Sequence, residues 1–359
     1  MDFLAHDDLP FPKSLPEFQR LFSNDVACAA YLERVRWENG FVCPYCHAMS
    51  EPFRIKTRPG ILQCRSCRRQ TGLLAGTVMA RSHTPLSLWF WAAYLATTHT
   101  QGISATQLQR QLGLSRYETA FGILHKLRAG MVRPQQDRIG GHPGRHVEVD
   151  ETLVGVRARG EGRGVHHKAL VVCAVEVCRR TAGSAQDTRK NDHYAGRVRL
   201  AIAADRSAEV LGGFVKSTVE PDALVITDDW SGYAGLRKDG YDHHAIAQCG
   251  DPEVCEEFMP IVHLIFSNLK TWLNGIHHGV SAKHLQAYLN EFTFRFNRRF
   301  YPLNAFRSLL GIGGTVEAPT FAELYSGDWS HPTWVGRPND VKLHGSGLAR
   351  NVVGRVSSG

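Results

Sequence analysis

An α/β catalytic domain, standing behind a small metal-bound ribbon and a helical module, is the fold that this sequence predicts. Three observations carry the prediction. Two apolar runs that read as strands each deliver a carboxylate at the end, Asp150 and Asp228. Two Cys-x-x-Cys pairs, Cys43/Cys46 and Cys64/Cys67, lie 17 residues apart near the start of the chain. Between those pairs and the first acidic strand sit two capped amphipathic segments joined at Gly113.

The whole chain bounds the rest. Its 359 residues suffice for two or three domains with real cores. Lys and Arg number 42 against 34 acids, a net charge of +8, which favours a polyanionic partner and nucleic acid first. Nine cysteines are an odd number with four in tight pairs, the pattern of a reducing compartment and a metal site rather than a disulfide framework. The start, Met1-Asp2-Phe3-Leu4, lacks the basic and apolar parts of a secretion signal. The most apolar run, 86–96, is too short to span a bilayer. A cytoplasmic protein with no membrane partner is expected.

In chain order, residues 1–35 form an N-terminal helical segment, with one helix predicted over 15–36. Residues 36–80 form the ribbon. Cys43, Cys46, Cys64 and Cys67 have the spacing of a tetrahedral Zn²⁺ site, and four thiolates leave the ion no open position, so the site is structural. Arg65, Arg68 and Arg69, with Arg54, Lys56 and Arg58 nearby, are placed to grip a phosphate backbone; a solvated basic face is the plainer alternative.

Residues 81–138 form the helical module. Thr84 and Pro85 open a helix whose Trp89, Phe90, Trp91 and Tyr94 read as core. Then Ser104 caps a helix carrying Leu108 and Leu112 on its inner face, Gly113 turns, and Ser115 with Glu118 forms a capping box for a second helix. That is helix-turn-helix punctuation. Arg116, Tyr117, Thr119 and His125 would contact the major groove, unless the pair is an ordinary helical hairpin.

Residues 145–310 form the acidic domain. Val147 and Val149 alternate with Glu148 and Asp150 at the strand period. Strands follow at 169–177 and 197–203, a helix at 209–218, and a fourth strand at 223–227 that leads into Asp228 and Asp229. Three sequential strands, a helix and a further strand are the order of a ribonuclease-H-like domain, in which the first and fourth strands lie side by side. Asp150 would then face Asp228. Hard oxygen ligands of this kind suit Mg²⁺ or Mn²⁺, and two such ions can activate a water or a 3′-hydroxyl for phosphodiester displacement. Cations in the loop 156–168 would neutralise incoming DNA. Residues 311–359 read as a Gly- and Pro-rich C-terminal tail, mobile over 343–359.

Several separated stretches then carry a resemblance. They are Cys43–Cys46, Cys64-Arg-Ser-Cys-Arg-Arg-Gln-Thr71, Leu108-Gln-Arg-Gln-Leu-Gly-Leu114, Val149-Asp-Glu-Thr152, Thr227-Asp228, Phe266-Ser-Asn-Leu-Lys-Thr-Trp272 and the run 284–299. With these the chain resembles the zinc-ribbon insertion-sequence transposases that have an ISXO-type DDE domain. The resemblance implies cleavage at the terminal inverted repeats of an element and strand transfer into target DNA, using divalent metal, by a homo-oligomer on double-stranded DNA. It places the first two metal-binding acids on Asp150 and Asp228. Such domains carry a third, a Glu, on a late helix, but the helix here, starting near Pro260, has no carboxylate.

Members with Asn followed by Lys point to Asn268 and Lys270. Helical geometry points elsewhere: at ~100° per residue Asn268 sits about 140° from His263, which shares a face with Ser267, Lys270 and Asn274. An Asn carbonyl is the better Mg²⁺ ligand than imidazole, so Asn268 is the first expectation and His263 the second, with Glu256 and Glu257 outside choices. Lys270 would contact the terminal phosphate. Two other functions fit the same residues: a catalytically decayed DNA-binding protein derived from a transposase, and a structure-selective nuclease on the same fold.

Overall fold

The computed structural model describes residues 9–133, 136–155, 168–180, 192–247, 257–316 and 318–326. The expectations for the basic loop after Gly155, for Glu256 and for the 343–359 tail fall outside these residues. Among the described residues no helix is long and apolar enough to cross a membrane.

The helix expected over 15–36 is two helices, α1 (Leu15–Leu21) and α2 (Asp25–Arg36). Asn24 divides them. Its backbone is extended and its Oδ1 accepts from Ala27 N at 2.9 Å, a helix N-cap that this residue type favours over a helix interior. The ribbon follows as three short antiparallel strands in the order β1 (Phe53–Arg54), β2 (Ile61–Gln63), β3 (Gln70–Gly72). Its core is tiny: Phe41, Leu62, Cys43 and Cys64, with Trp37 against them.

Helices α3 (Leu86–Thr98), α4 (Ala105–Gln111) and α5 (Tyr117–Ala129) pack with α1 and α2 around an aromatic cluster. Phe18 stands 4.3 Å from Tyr94 and 4.6 Å from Trp91, ring centre to ring centre, so these aromatics are core as expected. Phe306 joins them from a late helix, α9 (Pro302–Gly313), which returns to this cluster across the molecule.

Ser104 caps α4, accepting from Gln107 N, and Gly113 takes the left-handed φ of +62° that lets the chain turn between the helices. The capping box at the second helix does not form. α5 begins one residue later, with Arg116 at its cap position and no side-chain cap. Only its first turn is open to solvent. Ile123, Leu124, His125 and Arg128 are buried, so His125 cannot touch a groove.

The third unit is a five-stranded mixed sheet with helices on both faces. Strands β4 (His146–Gly155), β5 (Lys168–Arg179) and β6 (His193–Ala203) form an antiparallel meander; α6 (Ala208–Thr218) crosses over, and β7 (Leu224–Asp228) and β8 (Asp242–Ile246) run parallel to β4. The order across the sheet is β6-β5-β4-β7-β8. On one face α6 buries Leu211, Phe214 and Val215 against Val147, Val149 and Val225. On the other lie α7 (Pro260–His277) and α8 (Leu285–Phe296), burying Ile265, Leu269, Leu289 and Phe292 against Val171, Val175 and Leu200. The expected strands and crossover helix are present. β8 was not anticipated, because its Asp242-His-His-Ala-Ile has too little apolar alternation to read as a strand.

Candidate active site and zinc centre

The two acidic strands are neighbours, but only Asp228 ends its strand: β4 continues past Asp150 to Gly155, because residues 151–155 keep pairing with β5. Val147, Glu148 and Val149 of β4 pair in parallel with Val225, Ile226 and Thr227 of β7, so one step further Asp150 stands beside Asp228. Helix α7 lies over this point. Alternate residues of β4 face it, and each has a partner there. Glu148 Oε2 accepts from Val262 N at 2.7 Å, filling one of the open donors of the first helical turn; Asp150 Oδ2 is 3.8 Å from His263 Nδ1; Thr152 Oγ1 accepts from Lys270 Nζ at 2.8 Å. Those contacts set the rotation of α7 and turn His263 and Lys270 toward Asp150 and Thr152 of β4.

The same rotation turns Asn268 away. Asn268 is exposed and lines a cleft with Thr97, Trp272 and Arg295, on the far side of α7 from Asp150. The imidazole, second choice on ligand chemistry, is therefore the α7 group at the carboxylates. The offset of about 140° between the two positions lets only one of them face the carboxylates. Asp229 is exposed, and Glu257 lies before α7 at its exposed approach.

One residue was missed. Glu151 alternates to the α6 face of β4, yet a carboxylate oxygen of Glu151 lies with one each of Asp150 and Asp228 within a mutual 4.8 Å. Its oxygens accept from Tyr233 Oη at 2.6 Å and meet Arg206 Nε at 3.1 Å. Only the adjacency in Val149-Asp-Glu-Thr could have signalled it, and a strand residue beside a ligand normally points away.

These carboxylates share a poorly solvated pocket. Burial, then Glu151 and Asp228, push the Asp150 carboxyl up to about 7. Asp228 and Glu151 are likewise raised, mainly by burial. Burial lowers His263, so its contact with Asp150 joins a neutral ring to an acid at a length beyond a hydrogen bond. Three converging acids with one guanidinium between them leave negative charge uncompensated, and that donor set fits a hard divalent cation.

The zinc centre has the opposite chemistry. The Cys43 and Cys67 sulfurs are 3.6 Å apart and those of Cys46 and Cys64 3.7 Å. A tetrahedral ion with Zn–S bonds of ~2.3 Å has ligand sulfurs about 3.8 Å apart, so the four thiolates fit zinc closely. Both knuckles turn alike: His47 N and Arg68 N donate back to Cys43 O and Cys64 O, with φ of +57° and +60°. The Cys67 amide leads in holding the Cys64 thiol down at about 6, the thiolate range a metal ligand needs. Outside the knuckles, Arg65 and Arg68 lie 4.2 and 5.3 Å over the ring of Phe53, and Arg69 lies 5.0 Å over Tyr45. Among the helical candidates Arg116 and Tyr117 are exposed and Thr119 is half-buried.

Comparison with known proteins finds a match over each of these two regions. Residues 23–70 match the transposase zinc-ribbon domain, and residues 141–297 match the ISXO2-like transposase domain. The chain is 26% identical over 305 residues to an uncharacterized protein in transposable element ISH50 of Halobacterium salinarum, covering 77% of this chain and 92% of that protein. No solved structure matches.

Proposed function

We propose, for a chain that belongs to the insertion-sequence transposases with this zinc ribbon and ISXO2-like domain, that it binds the terminal inverted repeats of its element and cuts and joins DNA there. The observation that carries the reading is the β4–β7 register, which sets Asp150 beside Asp228 under His263. The strand order, an antiparallel meander followed by a crossover to strands parallel with the first, supports a ribonuclease-H-like domain.

In this reading Asp150 and Asp228 hold Mg²⁺ or Mn²⁺, with His263 in the third position. The bound cations would supply Lewis-acid stabilisation of the charge that develops on the phosphate oxygens. The residues of the chain do the rest. Lys270, fixed by Thr152, offers an ammonium to a phosphate beside the scissile bond, and Arg206 and Tyr233 keep Glu151 oriented toward the pocket. On α7 a neutral imidazole stands where the resemblance implies an acid, a softer donor that favours Mn²⁺ over Mg²⁺, while Glu151 supplies the third negative charge of the pocket. Arg65, Arg68 and Arg69 on the ribbon and Arg116, Tyr117 and Thr119 at the start of α5 are the DNA contacts, the protein acting as a homo-oligomer on paired ends. The units 36–80, 81–138 and 145–310 then divide the labour between gripping DNA and cutting it.

The test uses purified protein, labelled duplexes carrying the element ends, and Mg²⁺ or Mn²⁺. End-specific nicking should fall below ~1% of wild type in Asp150→Asn and Asp228→Asn, fall strongly in His263→Ala, and survive in Asn268→Ala. Nicking lost in Asn268→Ala and kept in His263→Ala would reverse the assignment. One observation favours a second reading, a decayed transposase that only binds DNA: helix α7 contributes no carboxylate. Tight end binding without cleavage in either metal would establish it.

A further inference from the structure

On the face of α7 away from the acids, a cleft of about 700 Å³ opens between the end of α3, the exposed row Asn268, Thr271 and Gly275 of α7, and the last turn of α8. Its floor is tied together. Trp272 Nε1 donates to Gln101 O at 3.0 Å, and the Arg295 guanidinium donates to the carbonyls of His99 and Thr100. Its wall is a ladder of alternating rings and guanidiniums. Phe292 and Phe296 stack at 18° with centres 5.8 Å apart; Arg299, which donates to the carbonyls of Phe296 and Ala195, lies 4.1 Å over Phe296 and 4.4 Å over Phe300; Arg298 borders the cleft with its guanidinium 4.0 Å over the ring of the buried Phe294. The ladder ends in the open. Phe300 and Tyr301, consecutive rings beside the cleft, are each 68% exposed.

Folding does not explain that end. Two neighbouring aromatic rings left in water sacrifice the burial that rings of this size ordinarily gain. Rings interleaved with arginines are the composition of a surface for unpaired nucleic acid, in which bases stack on the rings and the cations follow the phosphates. A duplex keeps its bases stacked on one another and out of reach of such rings, so the chemistry selects single strands. We propose that this cleft binds unpaired DNA, with bases on Phe300 and Tyr301 and the backbone along Arg298 and Arg299. The inference rests on the reading that the chain acts on DNA. It deepens that reading by assigning the strand separated at a cut end to a place one helix diameter, roughly 10 Å, from His263 and Lys270.

The test is fluorescence anisotropy of the full chain with a labelled oligothymidylate of about 15 nucleotides, beside a labelled blunt duplex at the same ionic strength. Phe300→Ala/Tyr301→Ala should weaken oligothymidylate binding by about tenfold or more and duplex binding by less than about twofold, while Phe300→Trp keeps both. Should the double variant fail to fold by circular dichroism, Thr271→Glu, which puts a carboxylate on the exposed cleft face, should weaken the oligothymidylate alone. Unchanged oligothymidylate affinity, or equal weakening on both probes, overturns the proposal. So does a dimer that becomes a monomer in light scattering with oligothymidylate binding intact, which would make the rings a contact between copies of the chain. Nicking of duplex ends is scored separately, so failed catalysis and a failed cleft give different results.

Discussion

The ribbon gathers four thiolates and the acidic pocket three carboxylates, each a donor set that fits a metal ion, and they stand in opposite relations to the fold around them. The ribbon has four buried core residues, two of them cysteines of the cluster, with three half-buried ones against them, and three strands of two or three residues, too little apolar surface to order residues 36–80. Its thiolates replace the missing core. The acidic pocket sits on a five-stranded sheet with an apolar layer on each face, a scaffold that orders itself and then forces like charges together. One cluster holds its surroundings together; the other is held together by its surroundings. Removing charge should therefore destroy the first and relieve the second.

The largest effect follows directly. Stripping zinc with a chelator, or Cys64→Ser, should unfold the ribbon, since structural zinc contributes on the order of 10 kcal/mol to such small domains. Hydrogen exchange should show amides of β2 and β3 losing protection while β4 and β5 keep theirs. Retained protection in β2 and β3 would break the comparison. Next comes the joint between the sheet unit and the helical module. Arg128 of α5 and Glu291 of α8 form an ion pair at 2.7 Å, with side chains 2% and 1% exposed. Burial raises the Glu291 carboxyl, but Arg128 and Arg295 outweigh it and hold it below its ordinary range. Glu291→Gln strands Arg128 and should cost about 3–5 kcal/mol in chemical denaturation. A loss below ~1 kcal/mol would mean that the two units are not coupled through this pair.

Around that pair two histidines sharpen the contrast through pH. Burial, then Arg128, lowers His277 to about 4, and burial, then Lys283, lowers His284 to about 4. Above pH 6.5 both are neutral folded or unfolded. As pH falls from 6.5 toward 4 the unfolded chain takes up protons that the folded one refuses, so stability drops, by up to ~1.4 kcal/mol per pH unit for each ring. His277→Asn/His284→Asn should flatten the slope of stability against pH in that window. An unchanged slope would assign it to other groups.

How much of this was legible depended on whether a residue announces its own geometry. The ribbon did so completely, because Cys-x-x-Cys spacing admits few structures. Asp228 was readable because apolar alternation marks where β7 ends; Asp150 was readable as a strand acid, but β4 runs on to Gly155, held there by pairing with β5 that its own residues do not announce. The rotation of α7 was only half readable: the 140° between Asn268 and His263 follows from counting, but which face meets the sheet is fixed by Glu148 on Val262 N and by Lys270 on Thr152, contacts between residues more than a hundred positions apart. Glu151 was hidden by the alternation rule that revealed Asp150. The helix-turn-helix expectation placed both helices and the glycine turn, but a local pattern could not show that α3, α8 and α9 would together bury most of α5. The same gap concealed β8, whose place beside β7 comes from parallel pairing rather than from its own residues.

The smallest predicted effect tests the comparison most directly, because its sign is unusual. Asp150 is 9% exposed and its carboxyl is pushed up to about 7, so near neutral pH without metal the folded protein holds a charge that it would rather lose. A raised carboxyl contributes stability that is complete below about pH 4, where both states are protonated, and that fades as pH climbs to about 7. Asn cannot ionise. Asp150→Asn should therefore raise the melting temperature of the metal-free protein at pH 8, by ~2–4 °C for a gain of about 1 kcal/mol, a figure kept well below the full shift because Glu151 and Asp228 share the relief. At pH 5 the gain should shrink toward zero. With Mn²⁺ present it should reverse, since the wild type alone then gains the full binding energy of the ion. Cys64→Ser shows no such reversal, because zinc and fold are lost together. A variant less stable than wild type at pH 8 without metal would show that Asp150 supports its strand, and the carboxylates would then belong to the scaffold rather than oppose it.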